Sequence, residues 1–222
     1  MARNEYQSRL DDLRKEVLHM SEVVRERLGI ALQALSERND ELGREVLERD
    51  AEVNEMYLEL ERECTDLIAL QQPVAGDLRF IAASFKIITD LERVADLATN
   101  LGAYAGRAER EILPDVDVAY IGERVDEAVG EAMAAYAEED ADACYLIAEH
   151  DDEIDDLCER ASELVIRDLI DGDREDADAE GVFSEVSRLL LTVRDLERVG
   201  DHAVNIAART LYMVENDDEL IY

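Results

Sequence analysis

Seven residues, Asp90-Leu91-Glu92-Arg93-Val94-Ala95-Asp96, return 105 positions later as Asp195-Leu196-Glu197-Arg198-Val199-Gly200-Asp201. The likeness runs on, since Ala98 and Asn100 match Ala203 and Asn205. Around each copy the apolar residues (Ile87, Leu91, Val94 and Ala98; Val193, Leu196, Val199 and Ala203) recur every three or four positions, so each copy lies on an amphipathic helix. On such a helix Glu92, Asp96 and Asn100 share one face, and Glu197, Asp201 and Asn205 share the corresponding one. Carboxylates at i and i+4 repel each other and weaken a helix, unless a cation is held between them. A merely solvating face accepts any polar residue, yet both acids survive the duplication. The pattern predicts a repeated helical protein with two oxygen-rich metal sites.

The repeat extends to a second helix. Asp50-Ala51-Glu52-Val53-Asn54 matches Asp151-Asp152-Glu153-Ile154-Asp155 at an offset of 101. Asp151, Asp155, Asp50 and Asn54 are therefore further candidate ligands, arriving from a neighbouring helix beside Glu92, Asp96, Glu197 and Asp201. Asn100 and Asn205 offer carbonyl oxygens, or orient the acids from behind. Asp90 and Asp195 lie well away from that face on a helical wheel and are expected to form salt bridges within the bundle. Arg93 and Arg198 are cations, so they are assigned to pairing with nearby carboxylates. His202 has Leu97 as its counterpart, and His19 and His150 stand alone, so no histidine is expected to ligate. All-oxygen donors suit Mg²⁺, Ca²⁺, Mn²⁺ or iron.

Ten glycines and two prolines in 222 residues are too few for a loop-rich all-β fold. Leu, Ala, Glu and Arg are abundant and favour helix. The expected fold is all-α: two pseudo-repeated antiparallel three-helix bundles, with six long helices over about 5–36, 41–71, 73–110, 116–138, 140–170 and 181–215. Ile112-Leu113-Pro114-Asp115 marks the junction, dividing the chain into repeats 1–112 and 113–222. Asp171 to Glu180 has no apolar period and is expected to be an exposed loop.

Acids outnumber bases 57 to 23, for a net charge of -34, and they are spread along every segment. A folded chain with this self-repulsion implies a solvent that screens it, and at molar salt the Debye length is about 3 Å. A halophilic cytoplasm is the expected setting. The same charge makes a phosphate backbone or an anionic membrane surface a poor partner, so neither nucleic-acid binding nor membrane insertion is expected. Cys64, Cys144 and Cys158 are odd in number and form no CxxC, so neither a disulfide framework nor a thiolate zinc site is expected. The first residues carry no apolar secretory core, and no apolar run approaches a membrane span.

With these motifs set out, Gln72-Pro73-Val74-Ala75-Gly76-Asp77-Leu78-Arg79 followed by the Asp90–Asp96 element resembles the PhoU family of phosphate-transport regulatory proteins. Leu196-Glu197-Arg198-Val199-Gly200-Asp201-His202-Ala203-Val204-Asn205 resembles that family's C-terminal motif. The resemblance implies two three-helix repeats about a pseudo-two-fold axis, and multinuclear iron or zinc on the E(D)xxxD motifs. It further implies a homodimer, and a regulatory role with the phosphate-specific ABC transporter that represses the phosphate-starvation response. Two alternatives are an accessory subunit of another phosphate permease and a carboxylate-bridged di-iron enzyme. The second needs Glu-x-x-His on two helices, and that spacing occurs once, at Glu16 and His19, outside the repeated segment. No Gly-rich phosphate loop or nucleophile elbow offers another catalytic site, so the chain is not expected to be an enzyme.

Overall fold

The computed structural model describes residues 3–70, 73–105, 116–171 and 179–221. Its elements are α1 (Arg3–Glu37), α2 (Asp40–Glu48), α3 (Asp50–Leu70), α4 (Ala75–Ala105), α5 (Val118–Glu138), α6 (Ala141–Asp171) and α7 (Ala179–Glu215). The described residues contain helices and no strands, as the composition predicts. The expected junction at Ile112–Asp115, most of the Asp171–Glu180 segment and Gln72 of the quoted motif lie outside the described residues.

Local chemistry sets the helix ends. α1 stops where Arg38 takes a left-handed backbone (φ 52°). Asn39 then caps α2, its side-chain oxygen accepting from the Glu41 and Leu42 N–H groups at 3.0 and 3.3 Å. Asp117 caps α5 by accepting from the Tyr120 N–H at 3.0 Å, and left-handed Glu139 ends that helix. The second expected helix carries one interruption. Arg49 leaves helical geometry (φ -90°, ψ 6°), so α2 and α3 are separate segments with Asp50 opening α3. The break is silent in the apolar pattern because Val46, Val53, Leu60 and Leu67, all buried, keep a seven-residue spacing across it.

Cross-helix pairs give the topology. Arg9 meets Glu63 and Arg49 meets Glu26, so α1 runs antiparallel to α2 and α3. Arg27 lies by Thr99, and Arg14 lies over the Phe80 ring, so α4 runs parallel to α1. In the second half α5, α6 and α7 repeat this up-down-up order, α6 turning from α5 at Glu139–Asp140. The two halves then meet like on like. α4 packs on α7, and α1 packs on α5, each antiparallel. A two-fold relation between halves generates that arrangement.

One core runs through both halves, with Leu28, Ile87, Leu91, Tyr136, Leu196 and Ile206 fully buried in it. Polar contacts fix its register. The Tyr136 hydroxyl lies 2.7 Å from the Ser84 hydroxyl, and the Arg14 guanidinium covers the Phe80 and Tyr136 rings. The repeated aspartates also act here, across the seam between halves. Asp90 is 2.9 Å from the His202 ring nitrogen, and buried Asp195 accepts from the Tyr104 hydroxyl at 2.9 Å; within α7, Asp195 also accepts from Arg194 at 2.7 Å.

α2 approaches α4 more closely than side chains allow. A methyl group on Gly102 would fall 3.1 Å from the Gly43 carbonyl oxygen, and one on Gly43 would collide with the Gly102 backbone. Gly43→Ala should therefore push α2 off α4 and cost about 1–3 kcal/mol, the usual penalty for overpacking. Gly29→Ala is the control, since a methyl group there meets no described residue within 4 Å. Thermal melts at one fixed salt concentration compare them, and equal melting points would contradict the close crossing.

Candidate metal centre

The second repeat gathers its acids where α6 crosses α7. Asp151 and Asp155 stand one turn apart on α6, and Glu197 and Asp201 one turn apart on α7. Among the described residues, Asp151, Asp155 and Asp201 form one group whose carboxylate oxygens all lie within 4.8 Å of one another. Gly200 makes this approach possible, because a Cβ there would sit 3.0 Å from the Asp151 Oδ1. The first repeat has Ala95 at the matching position.

These carboxylates disfavour being charged together. Burial, then Asp155 and Asp201, push the Asp151 carboxyl up to about 7. Asp155 is raised by burial and by Asp201, and Glu197 by burial and by Asp155. Asp151 Oδ1 is buried without a hydrogen-bond partner among the described residues. An orphaned carboxylate oxygen facing two further carboxylates is a donor set that fits a hard cation. Cys158 packs beside them, but burial and then Glu197 raise its thiol to about 12, leaving oxygen as the donor type.

The first repeat assembles Asp50 at the start of α3 with Glu92 and Asp96 on α4. Burial and then Asp96 raise Glu92, and burial and then Asp50 raise Asp96, so the three sense one another. Asp50 is already engaged. Thr99 Oγ1 lies 3.1 Å from its Oδ1, Asn54 donates to its Oδ2 at 3.3 Å, and the Arg27 guanidinium is 3.5 Å away. Asn54 thus serves Asp50 from beside the cluster. Asn100 and Asn205 are exposed on the outer continuation of each face. Arg93 pairs with Glu92 at 3.6 Å and Arg198 with Asp195 at 3.8 Å, as assigned. All three cysteines are buried and free.

Sequence reasoning missed Arg27, Thr99, Gly200 and the His202 and Tyr104 bonds across the seam. Arg27 did leave a signal. It falls three residues after Val24 and four before Ala31, on the apolar stripe of α1, where a charge needs a partner.

The model of the PhoU domain family matches residues 17–105 and, a second time, 118–210. This chain belongs to the PhoU family. Each PhoU match contains one carboxylate cluster. A Pseudomonas aeruginosa protein named as a phosphate-specific transport system accessory protein PhoU homolog is 33% identical over 220 residues, covering 96% of this chain and 87% of that one. A Methanothermobacter thermautotrophicus protein named as a homolog of the same kind is 32% identical, covering 94% of each chain. Among solved structures, PhoU from Pseudomonas aeruginosa superposes with a TM-score of 0.88 at 31% identity, over 96% of this chain and all of that one. The Streptococcus pneumoniae phosphate transport system regulatory protein PhoU shares the fold, with a TM-score of 0.87 at 23% identity. Among the described residues no helix is long and apolar enough to cross a membrane.

Proposed function

We propose that this protein regulates phosphate uptake with the phosphate-specific ABC transporter, represses the phosphate-starvation response, and does so without catalysis of its own. The observation that carries this reading is the double match to the PhoU domain, together with relatives named as accessory proteins of phosphate-specific transport. We divide the chain at residues 112 and 113 into two repeats, in keeping with one family match on each side. The working form is a homodimer in a cytoplasm rich in salt; the net charge of -34 supports the salt.

In this reading the carboxylate clusters hold metal. Asp151, Asp155, Glu197 and Asp201 would ligate in the second repeat, and Asp50, Glu92 and Asp96 in the first. Iron or zinc is favoured by the family resemblance, while Mg²⁺, Mn²⁺ and Ca²⁺ suit the oxygen donors equally. A bound cation would supply the positive charge these acids lack. The residues themselves do the coupling: α6 and α7 acids repel across their seam when uncompensated and draw the helices together when compensated. Metal content is thereby linked to how firmly α6 sits on α7.

A strain lacking the gene should take up phosphate freely even when phosphate is plentiful, and the tagged protein should co-purify with a transporter or signalling component from lysate kept at native salt. Normal regulation in that strain, with neither component recovered, would overturn the regulatory reading.

A further inference from the structure

The two clusters differ in one respect that duplication does not explain. Arg27 is fully buried beside the first cluster. Its Nη2 donates to the Val46 carbonyl at 3.1 Å and to Thr99 Oγ1 at 3.5 Å, and lies 3.5 Å from Asp50 Oδ1. Its Nε and Nη1 have no hydrogen-bond partner among the described residues. A guanidinium stays charged in a protein, and a buried charge persists only where opposite charge compensates it. Asp50 and Asp96 supply that charge, and both feel Arg27.

Among the described residues, the second repeat has no buried arginine beside its cluster. The offset of 101 that joins Asp50 to Asp151 also joins Val24, Leu28 and Ala31 to Val125, Val129 and Ala132, and it places Ala128 opposite Arg27. Asp155 stands where the first repeat has Asn54, and Val204, at the offset of 105, where it has Thr99. So in one half a buried guanidinium sits against two of the three carboxylates, Asp50 and Asp96, and in the other half four carboxylates face no buried arginine among the described residues. The oxygens that converge on one point are those of Asp151, Asp155 and Asp201.

We propose that Arg27 is a built-in cation for the first cluster, so that Asp151, Asp155, Glu197 and Asp201 hold the tightly bound metal while Asp50, Glu92 and Asp96 bind it weakly. This inference rests on the metal-binding reading above. The electrostatic reason is direct. A cation entering the first cluster meets a smaller net negative charge and a fixed positive one a few ångströms away, and must compete with Arg27 for the Asp50 oxygen.

The test is equilibrium dialysis of the full chain against Mn²⁺ in molar KCl, with elemental analysis and circular dichroism of each sample. Wild type should show tight binding that Glu92→Gln with Asp96→Asn leaves unchanged and that Asp155→Asn with Asp201→Asn removes. Arg27→Gln should add a second class of bound Mn²⁺, with affinity at the first cluster raised tenfold or more. Arg27→Gln binding like wild type, or Glu92→Gln with Asp96→Asn losing half of the tight metal, overturns the proposal. Should Arg27→Gln fail to fold, the two carboxylate pairs decide it, since both keep Arg27. A folded wild type with no tight Mn²⁺ overturns the metal-binding reading as well, whereas equal losses from the two pairs overturn only the inequality.

Discussion

Replacing Asp151 and Asp155 by asparagine should stabilise the metal-free protein and erase the gain in melting temperature that metal brings. Wild-type folding forces these acids against Asp201, with oxygens within 4.8 Å. Asparagine keeps their size and removes two of the charges. Coulomb's law at that range gives several kcal/mol at an effective dielectric of about 20. Exposure of Asp155 and Asp201 to solvent lowers the expected net gain to about 1 kcal/mol, or a few degrees in a chain of this length. Metal at a hundredfold excess over its dissociation constant stabilises by about 2.7 kcal/mol, roughly 5–10 °C, and the variant should lose all of it. The opposite pattern, a less stable metal-free variant that still responds to metal, would contradict the cluster.

The same pair carries a pH signature. The Asp151 carboxyl titrates near 7 when folded and near 3.8 when unfolded. Between those values the folded state binds the extra proton, so stability of the metal-free protein falls as pH rises through this window. Metal needs the carboxylate, so its affinity rises over the same range. Melts from pH 5 to 8 should show the fall in wild type and a flatter profile in Asp151→Asn.

Salt should have the largest effect. Thirty-four uncompensated negative charges share one small molecule. Two charges about 10 Å apart in water repel by roughly 0.4 kcal/mol before screening. The Debye length falls from about 10 Å at 0.1 M to about 3 Å at 1 M. Screening even part of this repulsion for each excess charge is worth several kcal/mol, so the melting temperature should rise by on the order of 10 °C or more between 0.1 and 2 M KCl. Melting followed by helical circular dichroism tests this, with sucrose at matched osmolality as the uncharged control. No shift with KCl would contradict the screening argument.

Much of this molecule is legible because its signals are periodic and doubled. The apolar spacing locates α1 and α4 to α7, and the repeated Asp90 and Asp195 segments place α4 and α7 as equivalent third helices. The offset of 101 brought Asp50 and Asp151 into the candidate set, and the structure puts each beside its expected i, i+4 pair. Contacts between elements were harder to read. The Arg49 break leaves the apolar phase unchanged, so no pattern marks it. Gly200 could be seen as a departure from Ala95, but its meaning depends on Asp151 arriving from α6. Asp90 and Asp195 are expected to form salt bridges within the bundle; Asp195 does so, with Arg194 and Arg198 of its own helix, while the Asp90–His202 and Tyr104–Asp195 bonds cross between the two halves. Helical wheels give the face a residue occupies and not the helix that meets it. Arg27 was visible as a charge on an apolar stripe, and only the packing of α1 on α4 shows which carboxylates it serves.

The central claim is that the acids at the α6–α7 crossing are ligands. Elemental analysis of protein purified without added metal or chelator, run beside the Asp151→Asn, Asp155→Asn variant, tests it most directly. The account predicts at least one metal ion per wild-type chain and clearly less in the variant. Equal traces of metal in both proteins would mean that these carboxylates are a solvated face.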